Sequence, residues 1–97
     1  EKKYTKWFDC DKINCELTVR TRRSGDYMAV SQSGGHKKLT RCMIDDKIPG
    51  ELRGKLPLVV DGNEVLWIVG GRINERYKIT SETGRVLEIT YQGGNVQ

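Results

Sequence analysis

Aromatic side chains are scarce in this 97-residue chain: one Phe, two Trp and four Tyr. Proline occurs twice and histidine once. No apolar stretch approaches the ~20 residues that a membrane-spanning helix needs, so the chain is not expected to be a membrane segment. The cysteines, Cys10, Cys15 and Cys42, are odd in number and form no C-x-x-C pair. That spacing argues against a disulfide scaffold and a zinc site and for reduced thiols in a cytoplasmic protein. There is no G-x-x-x-x-G-K-[ST], no H-E-x-x-H and no carboxylate cluster with metal spacing. Asp45-Asp46 are expected to flank a helix end, one solvated and one beside a basic neighbour. The lone His36 has no nucleophile or acid beside it in sequence. No catalytic set and no metal set can be assembled, so an independent enzyme is not expected.

What is abundant is positive charge, and it is unevenly placed. Residues 1–56 hold 13 Lys and Arg against 8 Asp and Glu, whereas residues 57–97 hold 4 against 5. Between Arg20 and Arg41 lie six basic residues (Arg20, Arg22, Arg23, Lys37, Lys38, Arg41) and a single acid, Asp26. Such clustering is the footprint of a surface that meets phosphates, or else a solvated basic face kept for solubility. Arginine dominates the first group, and its guanidinium desolvates cheaply and forks onto phosphate.

The apolar pattern predicts one compact domain over residues 1–97, without repeats or linkers. Lys2–Phe8 reads as a first strand. Glu16–Arg22 alternates, with Leu17, Val19 and Thr21 directed to a core and Thr18, Arg20 and Arg22 away from it. Ser24-Gly25-Asp26 is a turn, Tyr27–Val30 a short strand, and Ser31–Gly35 a polar loop. From Lys37 or Lys38 to Asp46 the period becomes helical, with Leu39, Cys42 and Met43 on one stripe and Pro49-Gly50 as the stop. Glu51–Gly54 adds a helical turn. Pro57 opens a strand to Val60, Asp61-Gly62-Asn63 turns it, and the continuously apolar Val65–Val69 returns as a central strand covered on both faces. Arg72–Thr80 is short and mixed, Val86–Tyr91 is a last alternating strand, and the tail from Gly93 is loose. The class is α+β: a strand-rich sheet or sandwich with one main helix and a short helical turn.

One stretch suggests anion chemistry. Ser33-Gly34-Gly35 running into a helix start would leave backbone N–H groups free, with His36, Lys37, Lys38 and Arg41 adding donors; an ordinary loop before a helix reads equally well. Trp67 belongs to the core, one of Trp7 and Phe8 packs, and Tyr27 beside the arginines is the best aromatic candidate for touching a nucleotide.

The blocks Arg20-Thr21-Arg22-Arg23-Ser24-Gly25-Asp26-Tyr27, Gly35-His36-Lys37-Lys38-Leu39, Ile48-Pro49-Gly50-Glu51-Leu52-Arg53, Leu56-Pro57-Leu58 and Leu66-Trp67-Ile68-Val69-Gly70 carry more in their order than singly. In that order and spacing, across residues 7–91, the chain resembles the C-terminal domain of tRNA(Ile)-lysidine synthetase. Ser24 stands where that family commonly has Pro. The resemblance implies a fragment of an ATP- and Mg2+-dependent, cytoplasmic ligase that attaches lysine to the wobble cytidine of tRNA(Ile). It places ATP, lysine and the chemistry in a separate N-terminal domain with an S-G-G-x-D-S loop, and leaves this domain to hold tRNA on the acceptor-stem side. It also implies similarity to a sandwich-like domain of the phenylalanyl-tRNA synthetase β-subunit. The chain, which begins at Glu1, is expected to be a processed or excised piece of such a parent.

The expected RNA-binding residues are Arg20, Arg22, Arg23, His36, Lys37, Lys38, Arg41 and Arg53. A-form stems hide their base edges, so a domain that holds them needs phosphate donors more than base readers. Arg53 either joins this surface or pairs with Asp26 to brace the Gly25 turn, and the brace is expected. The competing reading is a protein-interaction or homodimerisation domain whose basic stripe meets an acidic partner.

Overall fold

The structure is a computed structural model that describes residues 2–14, 16–31, 33 and 35–93. Seven strands and two short helices form: β1 (Lys2–Asp9), β2 (Leu17–Arg20), β3 (Tyr27–Ala29), β4 (His36–Lys38), α1 (Leu39–Asp45), α2 (Gly50–Arg53), β5 (Leu58–Asp61), β6 (Glu64–Ile68) and β7 (Val86–Gly93). Five strands make one sheet in the order β2-β5-β6-β3-β4. Among the described residues only the β3–β6 contact is parallel. β1 and β7 form a separate antiparallel ribbon, with Phe8 opposite Leu87 and Tyr4 opposite Tyr91.

Alternation along β5 divides the core in two. Leu58 and Val60 face α1 and pack with Met28, Leu39, Cys42 and Met43. Val59 faces the ribbon and joins Phe8, Trp67 and Tyr77. The domain is therefore three layers: helix, sheet, ribbon. β6 sits at the centre of the sheet and Val65–Ile68 are all buried, as the unbroken apolar run predicts; Glu64 at its start is buried as well. Phe8 packs at the core while Trp7 stays half exposed, and β7 alternates as expected. On the ribbon side, Asn74 donates to the Val65 carbonyl at 2.8 Å. The Tyr77 hydroxyl lies 3.1 Å from Asp61 and 3.2 Å from Glu64. Burial, with those two carboxylates beside it, pushes that hydroxyl's pKa well above its usual value.

Three expectations change. Lys37 and Lys38 do not begin the helix; with His36 they form a strand, paired to β3 with Tyr27 opposite Lys38 and Ala29 opposite His36. Val30 N–H closes the connection on the Gly35 carbonyl at 2.9 Å. The helix therefore begins only at Leu39, whose N–H is already taken by the Asp26 carbonyl. Hence the proposed anion site at a glycine-led helix start does not form as imagined, and Gly34 lies outside the described residues. At its other end the helix stops before Pro49-Gly50, because Lys47 adopts φ 59° and Ile48 N–H returns to the Met43 carbonyl. Finally, Val19 is exposed: β2 is an edge strand, and the ribbon-side core reaches Leu17 but stops short of Val19. Cys42 is buried in the helix-side core, Cys10 is half-buried, and both are free thiols; Cys15 and the tail from 94 on lie outside the described residues.

Candidate nucleic-acid interface

The turn between β2 and β3 is where most of the basic residues meet. Asp26 N–H bonds the Arg23 carbonyl at 3.3 Å, and Gly25 at φ 90° supplies the left-handed third position such a turn requires. The Asp26 carboxylate then accepts the Arg23 N–H at 2.8 Å, so one residue clamps Arg23 from both sides. The same carboxylate takes a two-pronged bond from Arg20, at 2.9 and 2.8 Å. Asn63, from the β5–β6 hairpin, adds a longer one at 3.4 Å. The brace of the Gly25 turn is thus Arg20, not Arg53. Arg53 Nε instead donates to the Ile48 carbonyl at 2.8 Å, tying α2 to the segment before it.

Burial works to raise the Asp26 carboxyl's pKa, but the bonds from Arg20, the Arg23 N–H and Asn63 outweigh it and hold the carboxyl below its ordinary value of 3.8. A carboxyl depressed in the folded state stabilises the fold above its unfolded pKa, and that stability is lost as pH falls through the folded value. Acidification from pH 7 to pH 3 should therefore lower the melting temperature of the wild type more than that of Asp26→Asn. Equal shifts in parallel thermal melts would contradict it.

Beside this turn lies a cleft of about 400 Å³. Arg22, Arg23 and the Ser24–Asp26 turn form one wall, and Tyr27, Lys38 and Thr40 form the other. Basic residues from two separate stretches, Arg22 and Arg23 from one and Lys38 from the other, thus line one cleft. Arg22, Arg23 and Lys38 are exposed and make no ion pair among the described residues. Asp26 contributes no free negative charge, because Arg20 neutralises it and its side chain is 1% exposed. Three unpaired cations around one concavity repel each other and are relieved by an anion.

The remaining predicted residues divide across the β4 strand. Lys37 points to the helix side and donates to Asp45 at 2.8 Å, and Arg41 approaches the same carboxylate at 3.5 Å. Asp46 pairs with Arg72, so neither carboxylate at the helix end is left to solvent alone. His36 stacks obliquely on Tyr27, with ring centroids 4.9 Å apart. Arg20 is committed to Asp26. Sequence reasoning missed Thr40, which adds a hydroxyl to the cleft wall, and Asn63, whose hairpin sits against the turn only once β3 pairs with β6. Among the described residues no group of three His, Cys, Asp or Glu side chains is placed to hold a metal ion, and no helix is long and apolar enough to cross a membrane.

Residues 17–89 match the family model described as the TilS substrate C-terminal domain. The chain is 44% identical over 88 residues to a tRNA(Ile)-lysidine synthase of Caldanaerobacter subterraneus subsp. tengcongensis, covering 91% of this chain and 19% of that protein. It is 43% identical over 90 residues to the tRNA(Ile)-lysidine synthase of Clostridium tetani, covering 93% and 19%. It thus spans about a fifth of the length of these curated relatives. A crystal structure titled as a TILS C-terminal domain superposes with a TM-score of 0.67 at 32% identity, covering 87% of this chain and 66% of that one.

Proposed function

The chain belongs to the TilS substrate C-terminal domain family, and on that premise we propose that it is the non-catalytic, tRNA-holding domain of a longer, cytoplasmic tRNA(Ile)-lysidine ligase. In this reading Arg22, Arg23 and Lys38 meet RNA phosphates in the cleft, on the acceptor-stem side of the tRNA. Lys37 and Arg41, two cations sharing the one Asp45 carboxylate, add to the positive field on the helix side, and His36 lies against Tyr27, while Arg20 and Arg53 hold the backbone that presents it. Lysine attachment to the wobble cytidine, with its ATP and Mg2+, belongs to the rest of the parent. The cleft is cationic, which suits a nucleic-acid backbone and not a metal ion.

The observation that carries this reading is the sharing of one cleft by unpaired cations from the β2–β3 turn and from β4. Exposed phosphate donors without base-edge readers fit an A-form stem, whose wide minor groove and backbone are what a protein can reach. Binding of tRNA to the 97-residue chain, measured across salt concentrations, is expected to weaken linearly in log–log form. The slope should be about −2 to −3 if the three cleft cations each displace counterions from one phosphate. A concentration-independent dimer in light scattering, with no tRNA bound at low salt, would instead favour the protein-interaction reading.

A further inference from the structure

The Arg20 guanidinium is the least available of the basic groups between Arg20 and Arg41. Its side chain is 11% exposed. One terminal nitrogen donates to Asp26 Oδ2 and to the Thr21 carbonyl, both at 2.9 Å. The other donates to Asp26 Oδ1 at 2.8 Å and to the Gly62 carbonyl at 3.2 Å. This single side chain therefore reaches the first residue of the turn, its last residue, and the neighbouring hairpin. Asp26 completes the frame by holding the Arg23 N–H with its carboxylate and the Leu39 N–H with its carbonyl. The first of these bonds fixes one wall of the cleft and the second fixes the start of the other.

We propose that Arg20 and Asp26 are positioning residues for RNA binding: their two-pronged pair sets Arg22 and Arg23 opposite Lys38 before any RNA arrives. The proposal rests on the tRNA-holding reading above. Neither residue touches phosphate; both act through the loop 21–26. Ordering two long cationic side chains and their turn at the moment of binding would cost affinity, and the pair removes that cost in advance.

The test turns on a sign. Asp26→Asn removes a negative charge beside the cleft, so a surface acting by charge alone would bind tRNA more tightly. Positioning predicts the opposite, about tenfold weaker binding, with the salt slope unchanged because no phosphate contact is lost. Arg20→Lys keeps the charge but cannot form the fork, and is expected to weaken binding to a similar degree. If Asp26→Asn fails to unfold cooperatively, Arg20→Lys carries the comparison, with melts confirming that it is folded at the assay temperature. A purely structural pair would lower the melting temperature and leave the affinity of the folded chain alone. Binding in these variants as tight as the wild type or tighter would remove the positioning role while leaving the functional reading intact. A wild-type chain that binds no tRNA would overturn both.

Discussion

With Arg22, Arg23 and Lys38 all replaced by alanine, tRNA affinity near 0.1 M salt is expected to fall about a hundredfold and the log–log salt slope to shrink by two or more. The first figure assigns roughly 0.9 kcal/mol to each phosphate contact, a modest value for exposed charge-assisted bonds. The second follows from counterion release, which counts contacts and is insensitive to how well each is aligned. Stability should not suffer. All three side chains are exposed and none is ion-paired within the described residues, so their removal relieves mutual repulsion. A melting temperature equal to or slightly above that of the wild type is the expected control. An unchanged slope would mean the cleft is not where the phosphates sit.

The largest effect on stability is expected at Trp67. It lies in β6, the central strand, is 0% exposed, and stands opposite Val59 on β5. Its ring is 6.1 Å from that of Phe8 at a tilt of 48°, one contact between sheet and ribbon within the ribbon-side core. Trp67→Ala leaves a large cavity at that seam and should cost about 3–5 kcal/mol. For a domain of this size that is a large share of the total, and it should lower the melting temperature by roughly 15 °C or more. Trp67→Phe keeps a ring there and also removes a buried indole N–H that has no hydrogen-bond partner among the described residues, so it should cost less. Urea titrations of the three proteins would rank them; a Trp67→Ala midpoint close to that of the wild type would show that the ribbon does not depend on this seam.

How much of this was legible in the sequence differed from place to place, for physical reasons. β6 announced itself because Val65–Ile68, buried on both faces, is an unbroken apolar run, with Glu64 buried at its head through hydrogen bonds. β7 and the core role of Cys42 and Met43 were equally plain, since one-sided burial imposes a period. β4 was not, because His36-Lys37-Lys38 carries no apolar residue and lysine sits easily in a helix. What makes it a strand is pairing with β3, a tertiary fact. Three basic side chains on an edge strand also deter unwanted pairing there, so the polar sequence has a structural sense once the sheet is known. The β1–β7 ribbon joins residues some 85 apart, as in the Thr5–Thr90 hydroxyl contact, and no local pattern announces it.

The site was readable in outline and not in detail. Of the basic residues clustered between 20 and 41, Arg22, Arg23 and Lys38 line the cleft, whereas Arg20, Lys37 and Arg41 are tied to carboxylates. The partner of Asp26 was not readable. Arg20 and Arg53 are both arginines with suitable reach on paper, and the choice is made by where β2 ends against the β5–β6 hairpin. Nor did spacing reveal that Lys37 and Lys38 part company. A helix start would have kept them near each other, whereas consecutive strand residues face opposite sides, and Lys37 leaves for Asp45.

The most direct measurement is an amide chemical-shift titration of the isotopically labelled chain with tRNA at low salt. If two stretches of sequence build a single phosphate-facing opening, the largest changes fall together in residues 22–27 and 38–40 and fade in parallel as salt is added. Changes concentrated on the outer face of the β1–β7 ribbon, with those two segments silent, would contradict it.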